Sequence, residues 1–196
     1  MIDSETIAVY DAQVEAYDKM VDDQPANQHL LDCIRRVTPG GLVLDLGCGP
    51  ADASATMRSH GLMVDPVDAS AHMVQLANRK HDIGARQASF DQIDGVHRYA
   101  GIWASFSLLH ASASEFPVLL QSLHRATQPD GHLSLSMKTG TGSKRDALGR
   151  FYTYYSQEAL YEHLHGAGFH TTGYILGEGP GLAGDIEPWI TVTATA

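Results

Sequence analysis

The sequence has little cysteine and no long hydrophobic run, and both shortages exclude classes of protein. Two cysteines occur in 196 residues, Cys33 and Cys48, and no paired spacing indicates a disulfide framework or a zinc site. No run approaches the ~18 apolar residues that cross a membrane. The first residues also lack the basic and apolar stretches of a secretory leader. We therefore expect a cytoplasmic protein without a membrane segment or a metal site.

Positive charge is also scarce. The chain has 13 lysines and arginines against 23 aspartates and glutamates, a net charge of −10. Such a surface repels phosphate backbones, which disfavours nucleic acid as a partner, although a local basic patch could override the mean. Hydrophobic residues make up 43%, enough for one domain with a sizeable core. We expect a single domain over residues 1–196, with an N-terminal helical cap (1–40) and an α/β core (41–196). The oligomeric state is left open.

Segments with strand and helix patterns alternate along the core. The first segment, with apolar residues at Tyr10, Val14, Tyr17 and Val21, predicts one amphipathic helix. A second helix is predicted near 27–37. The alternation predicts a mostly parallel sheet with helices on both faces. Residues 139–150 are predicted as a charged loop and 177–184 as a glycine-rich connection that could be a hairpin. The predicted strands lie near 42–46, 62–67, 84–89, 99–106, 132–138, 169–176 and 187–195, and the helices near 52–60, 70–80, 114–127 and 156–166.

The residues Val-Leu-Asp-Leu-Gly-Cys-Gly-Pro at 43–50 indicate a ligand site. An apolar run that ends in glycines predicts a buried strand followed by a tight turn. Gly47 and Gly49 have no Cβ, so a ligand can approach the backbone there. Asp45 ends the strand and can accept hydrogen bonds from a cationic or hydroxylated ligand. Together these features predict a small-molecule site at the edge of an α/β sheet.

Two further acidic positions extend this prediction. Asp68 follows Gly49 by 19 residues and ends the second predicted strand, where an acidic residue reaches the hydroxyls of a ribose. The alternative is that Asp68 or Ser70 only caps the next helix. Phe90 and Asp91 end the third predicted strand and could stack on an adenine and accept from its amino group. The alternative is a core phenylalanine beside a turn aspartate.

In order and spacing, these motifs resemble those of the class I S-adenosylmethionine-dependent methyltransferases, over nearly the whole chain. Besides the segments above, the resemblance includes residues 101–110 and 128–133. It implies a doubly wound, Rossmann-like sheet of seven strands, mostly parallel with an antiparallel C-terminal strand. It implies S-adenosylmethionine as the cofactor and S-adenosylhomocysteine as the product. The cofactor-binding residues it implies are Tyr17, Asp45, Gly47, Gly49, Asp68, Ala69, Met73, Phe90, Asp91 and Ser105. Tyr17 is equally compatible with packing in a helix stripe.

The chain departs from the family pattern at two turns. Ala51 replaces a third glycine after Gly49, and its methyl group is small enough that we expect cofactor binding to survive. Asp130 replaces a glycine in the Pro-Gly-Gly turn before the fifth strand. Aspartate tolerates turn conformations, and this turn should lie away from the cofactor.

The acceptor side of the site is less defined. His110 follows the fourth predicted strand and is the candidate acid/base residue, although a capping or loop role is as compatible with its position. Methyl transfer can also proceed by alignment without a base. Arg150 and Tyr152 are candidates for a substrate wall, or pack the following helix. The basic residues between 138 and 150 could form a lid that attracts an anionic substrate, or a solvated loop.

The predicted reaction is methyl transfer to a small-molecule acceptor by direct displacement. A nicotinamide-dependent oxidoreductase would need a glycine at position 52, where this chain has Asp52. A non-catalytic cofactor-binding relative and an RNA-modifying methyltransferase remain as alternatives, the latter because of the basic 138–150 segment. The sequence does not identify the acceptor or the acceptor atom.

Overall fold

A computed structural model describes residues 3–22 and 28–196. The chain alternates helices and strands as the sequence pattern predicts. The helices are α1 (Ser4–Ala12), α2 (Val14–Asp22), α3 (Gln28–Arg36), α4 (Asp52–Ser59), α5 (Ala71–His81), α6 (Phe116–Ala126) and α7 (Gln157–Gly166). The strands are β1 (Leu42–Leu46), β2 (Met63–Asp68), β3 (Arg86–Gln87), β4 (Tyr99–Ser105), β5 (Thr127–Lys138), β6 (Ser143–Arg145), β7 (Phe151–Thr153), β8 (His170–Pro180) and β9 (Ile186–Thr195). Two short 3-10 turns span Phe90–Gln92 and Leu108–His110.

Seven strands form one sheet in the order β3-β2-β1-β4-β5-β9-β8. The pairs among β1 to β5 are parallel, and β9 runs antiparallel to both of its neighbours. The predicted fold class, a doubly wound sheet with an antiparallel C-terminal strand, is therefore confirmed. The strand order reverses between β1 and β4, and in open α/β sheets ligands bind in the crevice beyond the carboxyl ends of the strands at such a point.

The sheet is covered on both faces because alternate strand residues point in opposite directions. In β1, Val43 packs with Met57 and Trp103 and with residues of α3 on one face. The next residue, Leu44, packs on the other face with a larger cluster that includes Phe116 of α6 and residues of α7. Among the described residues, no helix is long and apolar enough to cross a membrane.

The structure corrects the prediction of one N-terminal amphipathic helix. The helix breaks at Gln13, whose backbone leaves helical geometry and whose N–H bonds the Tyr10 carbonyl three residues back. The break lets α1 and α2 turn against each other and both face the ends of the strands. The start of the second predicted helix, Asn27, lies outside the described residues, and α3 follows from Gln28 to Arg36.

The predicted loop at 139–150 needs one correction, because Ser143–Arg145 form strand β6, which pairs antiparallel with β7 just after the loop as a hairpin, with Lys144 opposite Tyr152. The segment alternates poorly between apolar and polar residues, so it carries no strand signal of its own. The glycine-rich connection at 177–184 is part of a hairpin: β8 continues to Pro180, and β9 begins at Ile186.

Candidate functional site

A cavity of roughly 60 Å³ lies beyond the carboxyl ends of β1, β2 and β4. This is below the roughly 300–1,000 Å³ usual for a small-molecule site, so the cavity identifies a candidate site by its position and its lining residues. The strands and the turns that follow them form its floor, and α1 and α2 form its roof. Its lining residues are Thr6, Ile7, Tyr10, Tyr17, Gly47, Gly49, Asp68, Ala69, Met73, Ala88, Phe90, Ser105, Phe106, Ser107 and His110.

The glycine turn after β1 forms the centre of the floor. Gly47 and Gly49 have φ angles of +75° and +51°, which glycine adopts without a steric penalty. A Cβ on Gly47 would lie 2.4 Å from the Ser107 Cβ, and one on Gly49 would lie 3.2 Å from the ring of Tyr17. Because these two glycines lack side chains, Ser107 after β4 and Tyr17 of the roof can approach the turn closely.

Asp45 lies behind this turn rather than on the cavity wall. Its side chain is 2% exposed and accepts a 2.7 Å hydrogen bond from the Ser54 hydroxyl of α4. Burial raises the Asp45 pKa to about 7, with the Ser54 hydrogen bond opposing that rise. The carboxyl thus ties the end of β1 to the first turn of α4, and it holds the glycine turn between them.

Asp68 lies on the cavity wall at the end of β2. One carboxylate oxygen accepts from the Gly49 N–H at 2.9 Å and the other from the Ser70 N–H at 2.8 Å. Burial raises the Asp68 pKa, and both backbone hydrogen bonds oppose that rise. The helix cap is Ser70, whose hydroxyl accepts from the Met73 N–H at 3.0 Å. Asp68 therefore bridges two turns, and Ala69 and Met73 continue the wall beside it.

The end of the cavity near β3 is apolar. Ala88 and Phe90 line it, and Phe90 also packs in the main core cluster. Asp91 is exposed outside the cavity wall, where the Ser89 hydroxyl donates to it at 2.7 Å and lowers its pKa.

At the other end, the residues that follow β4 form a segment that the sequence prediction largely missed. Ser105, a predicted cofactor contact, lines the cavity, and Phe106 and Ser107 line it beside Ser105. Phe106 has a φ of +53°, unusual for a bulky residue, and its ring stands edge-on to Trp189 at 6.2 Å. Strain of this kind clusters at ligand sites. The order polar, aromatic, polar after a buried strand was the available signal.

His110 lines the same end of the cavity, and two hydrogen bonds fix the orientation of its ring. Its Nδ1 lies 2.6 Å from the Phe151 carbonyl, which only accepts, so Nδ1 carries the proton. Its Nε2 lies 2.9 Å from the Tyr10 hydroxyl, which therefore donates to it. Burial lowers the His110 pKa to about 4, so the ring is neutral near neutral pH. Tyr10 was predicted as a helix-stripe residue only.

Arg150 and Tyr152 lie behind His110 and outside the lining of the cavity. Arg150 is 2% exposed and pairs with Asp146 at 2.7 Å, and its guanidinium also donates to the Tyr10 hydroxyl at 3.1 Å. The Tyr152 ring packs against His110, with centroids 4.8 Å apart. The two residues thus support Tyr10 and His110 from behind.

The basic residues of the 138–150 segment have acidic partners, which neither interpretation of that segment predicted. Arg145 pairs with Asp3 at 2.8 Å and with Glu5 at 3.2 Å, and so ties the hairpin to α1. Lys138 and Lys144 both pair with Glu187. The local positive charge is thus neutralised by acids from distant parts of the chain.

Comparison with protein families finds a match, and it covers the part of the chain that forms the floor of the cavity. A family model described as a methyltransferase domain matches residues 43–131. The matched stretch contains all the lining residues except those of α1 and α2. No curated protein sequence matches the chain.

Solved structures share the fold at low sequence identity. The Burkholderia thailandensis 1,6-didemethyltoxoflavin-N1-methyltransferase, solved with 1,6-didemethyltoxoflavin and S-adenosylhomocysteine, matches with a TM-score of 0.70 at 22% identity, covering 96% of this chain and 87% of that one. A Methanosarcina mazei S-adenosylmethionine-dependent methyltransferase matches with a TM-score of 0.74 at 13% identity over 88% and 98%. A chain from a complex between the Haloferax volcanii Trm112 methyltransferase activator and a methyltransferase matches with a TM-score of 0.76 at 16% identity over 97% of both chains.

Proposed function

We propose that this chain is a class I S-adenosylmethionine-dependent methyltransferase and that it transfers the methyl group directly to a small organic acceptor, a proposal that the methyltransferase-domain match supports. The observation that carries the proposal is the cavity itself. Its floor is built from the glycine turn and Asp68, at the switch point of the sheet, and α1 and α2 cover that floor as a roof. When bound, the cofactor supplies a methyl group activated by a sulfonium.

The lining residues fit the cofactor along the length of the floor. We propose that Asp68 binds the ribose hydroxyls, since its carboxylate is held by two backbone N–H groups at the switch point of the sheet. Ala88 and Phe90 offer an apolar slot for the adenine at one end. The remaining proposed contacts along the wall are Tyr17, Gly47, Gly49, Ala69, Met73 and Ser105. Asp91 would reach the adenine only from outside the wall, and Asp45 would act by holding the glycine turn.

The acceptor would bind at the opposite end, between the roof and the segment after β4. Thr6, Ile7, Tyr10, Phe106 and His110 line that space. None of these side chains is charged near neutral pH, since the His110 pKa is lowered to about 4. We therefore propose a neutral acceptor with an apolar or aromatic body. The walls would align its nucleophilic atom with the methyl group, which is a large part of what such a transfer requires.

His110 remains the candidate base in this proposal. Its protonated Nδ1 faces the Phe151 carbonyl, so Nε2 is the atom that can receive a proton. That atom already accepts from Tyr10, which means that the Tyr10 hydroxyl must release it first. Arg150 and Tyr152 enter the proposal as residues that position Tyr10 and His110, not as substrate contacts.

RNA as an acceptor is less well supported. The basic segment that favoured it pairs with Asp3, Glu5, Asp146 and Glu187, so its charge is neutralised within the protein. A phosphate backbone needs free cations along its path. The Trm112 activator complex is a property of the Haloferax relative and supplies no contact in this chain.

Calorimetric titration tests the cofactor half of the proposal. Wild-type protein should bind S-adenosylmethionine and S-adenosylhomocysteine but not NADH. Asp68→Ala should lose at least tenfold in affinity for both sulfur nucleosides, because hydrogen bonds to a charged group contribute about 1.5–3 kcal/mol each. Asp94→Ala, which removes an exposed carboxylate, is the matched control and should bind normally. Unchanged binding in Asp68→Ala would contradict the ribose assignment.

Release of S-adenosylhomocysteine tests the acceptor half. A panel of neutral phenols, thiols and nitrogen heterocycles should support turnover, whereas carboxylates, phosphorylated compounds and total RNA should not. Turnover on RNA and on none of the small molecules would replace this proposal with the RNA-modifying alternative. Tight cofactor binding without turnover on any acceptor class would favour a non-catalytic relative.

A further inference from the structure

The hydroxyl of Ser107 is buried in the cavity without a hydrogen-bond partner. The residue is 6% exposed, and its Oγ has no partner among the described residues. Ser107 precedes the 3-10 turn Leu108–His110, where a serine side chain often caps, yet here it makes no cap hydrogen bond. A buried hydroxyl left unpaired costs free energy, so such a group at a ligand site indicates a partner that binds there.

The packing of Ser107 shows which end of the cavity the hydroxyl serves. Its Cβ lies directly over Gly47, where an added Cβ would meet the Ser107 Cβ at 2.4 Å and its Oγ at 3.3 Å. Asp68, the proposed ribose contact, bonds Gly49 two residues along the turn. Phe90, the proposed adenine contact, lines the cavity beyond Asp68 on the third-strand side. Ser107 therefore lies at the end where the amino-acid part of the cofactor would extend.

The glycine turn has no backbone donor to spare for that part of the cofactor. The N–H groups of Gly47 and Cys48 both donate to the Val67 carbonyl, at 2.8 and 2.9 Å. The Gly49 N–H donates to Asp68, and the Ala51 N–H donates to the Cys48 carbonyl. Pro50 has no N–H. A carboxylate placed against this turn must therefore find its donors elsewhere.

Cationic side chains do not supply those donors. Within the described part of the chain, the cavity lining contains neither lysine nor arginine. The closest cation of the hairpin, Arg150, is bound by Asp146 and donates to Tyr10. Acidic groups, in contrast, lie near the turn at Asp45 and Asp68, and these suit an ammonium rather than a carboxylate.

We propose that the Ser107 hydroxyl donates a hydrogen bond to the α-carboxylate of the bound cofactor and fixes its amino-acid end. This inference rests on the proposed cofactor geometry and adds a binding residue to it. Ser107 thereby sets the position of the sulfur relative to the acceptor, because the ribose and the carboxylate are then held from both sides.

Two ligands that differ only at the amino-acid end test the inference by calorimetry. S-adenosylhomocysteine carries the carboxylate, and 5′-methylthioadenosine lacks the whole amino-acid end. Ser107→Ala should weaken S-adenosylhomocysteine binding roughly 10- to 100-fold, the equivalent of one hydrogen bond to a charged group. Binding of methylthioadenosine should not change.

Two further variants control for packing. Ser107→Cys keeps the shape with a weak donor and should lose S-adenosylhomocysteine affinity as the alanine variant does. Ser136→Ala removes another buried hydroxyl, one in β5 that is hydrogen-bonded to the Thr191 hydroxyl of β9, and should leave both affinities unchanged. Thermal melting establishes that each variant is folded.

The outcomes distinguish a failure of the Ser107 assignment from a failure of the proposed cofactor site on which it rests. Equal losses for both ligands in Ser107→Ala, or no loss for either, would overturn the Ser107 assignment while leaving the cofactor site intact. If wild-type protein bound neither ligand, the cofactor geometry itself would fail and the Ser107 assignment with it. A loss of affinity in Ser107→Ala that is confined to S-adenosylhomocysteine supports the Ser107 assignment.

Discussion

The floor of the cavity comes from one continuous stretch of chain, whereas its roof is fastened by pairs about 60 to 145 residues apart. The floor residues lie between Gly47 and His110, at or shortly after the carboxyl ends of the parallel strands. The roof is held through contacts such as Tyr10 with Arg150 and Thr6 with Phe151, separated by 140 and 145 residues. The floor is thus specified by local order along the chain, and the roof by long-range pairing. The family match covers the first and stops short of the second.

Removing Arg150 should have the largest effect on the roof. Its ion pair with Asp146 is buried, with side-chain exposures of 3% and 7%. We expect Arg150→Met to lower the free energy of unfolding by about 3–5 kcal/mol, because Asp146 is left as an uncompensated buried charge. Urea denaturation measures this loss. Adding Asp146→Leu should restore much of it.

The exposed ion pairs of Arg145 offer a matched comparison with the buried Arg150–Asp146 pair. Arg145 ties the same hairpin to Asp3 and Glu5 at the surface, so Arg145→Met should cost far less, and the cost should vanish at high salt. Equal losses for Arg145→Met and Arg150→Met would contradict the view that the buried pair holds the roof.

The floor should be most sensitive at Gly47. Gly47→Ala combines a left-handed backbone with a clash against the Ser107 Cβ, and we expect a loss of about 2–4 kcal/mol in stability. Gly84→Ala has nearly the same φ, +73°, but opens onto free space, so it should cost about 1 kcal/mol. Thermal or urea unfolding of the two variants isolates the cost of the clash with Ser107. Equal losses of stability in Gly47→Ala and Gly84→Ala would show that Ser107 does not pack tightly against the turn.

The sequence predicted the floor well because its determinants are local. Apolar runs, the glycine turn and the Asp68 spacing all lie within a few residues of the positions that they specify, and β1, α4 and α5 begin and end within about two residues of expectation. The hairpin β6–β7 was missed because its partners are Asp3 and Thr6, which no local pattern connects to it. Phe106 and Ser107 were missed because backbone conformation and an unpaired hydroxyl leave little trace in the sequence.

Asp45 should give the floor a pH dependence. Burial raises its pKa to about 7 from the ordinary 3.8. Between these values the folded state keeps a proton that the unfolded state has released. The free energy of unfolding should therefore fall as pH rises through this window, by up to about 1.4 kcal/mol per pH unit. Asp45→Asn should remove this slope in urea denaturation between pH 5 and 8, and Asp94→Asn should keep it. Parallel curves for wild type and Asp45→Asn would contradict the assignment.

The smallest effect is expected at Ala51, where the methyltransferase pattern that the sequence resembles has glycine. Its φ of +66° is left-handed, so Ala51→Gly relieves about 1 kcal/mol of strain, which offsets the entropy that glycine costs on folding. We expect stability within about 0.5 kcal/mol of wild type. Ala77→Gly, also buried but inside helix α5, should lose about 1 kcal/mol or more. A large loss for Ala51→Gly would show that the methyl group packs too well to remove.

The distance along the chain between Asp3 and Arg145 also orders events during synthesis. Helix α1 leaves the ribosome first, but the hairpin strands on which it docks lie some 140 residues later. At typical rates of about 5–20 residues per second, the N-terminal helix waits several seconds or more for its partner. The strands of the floor can pair meanwhile, since their contacts are closer in sequence. A nascent chain would therefore have an open binding crevice before it has a closed one.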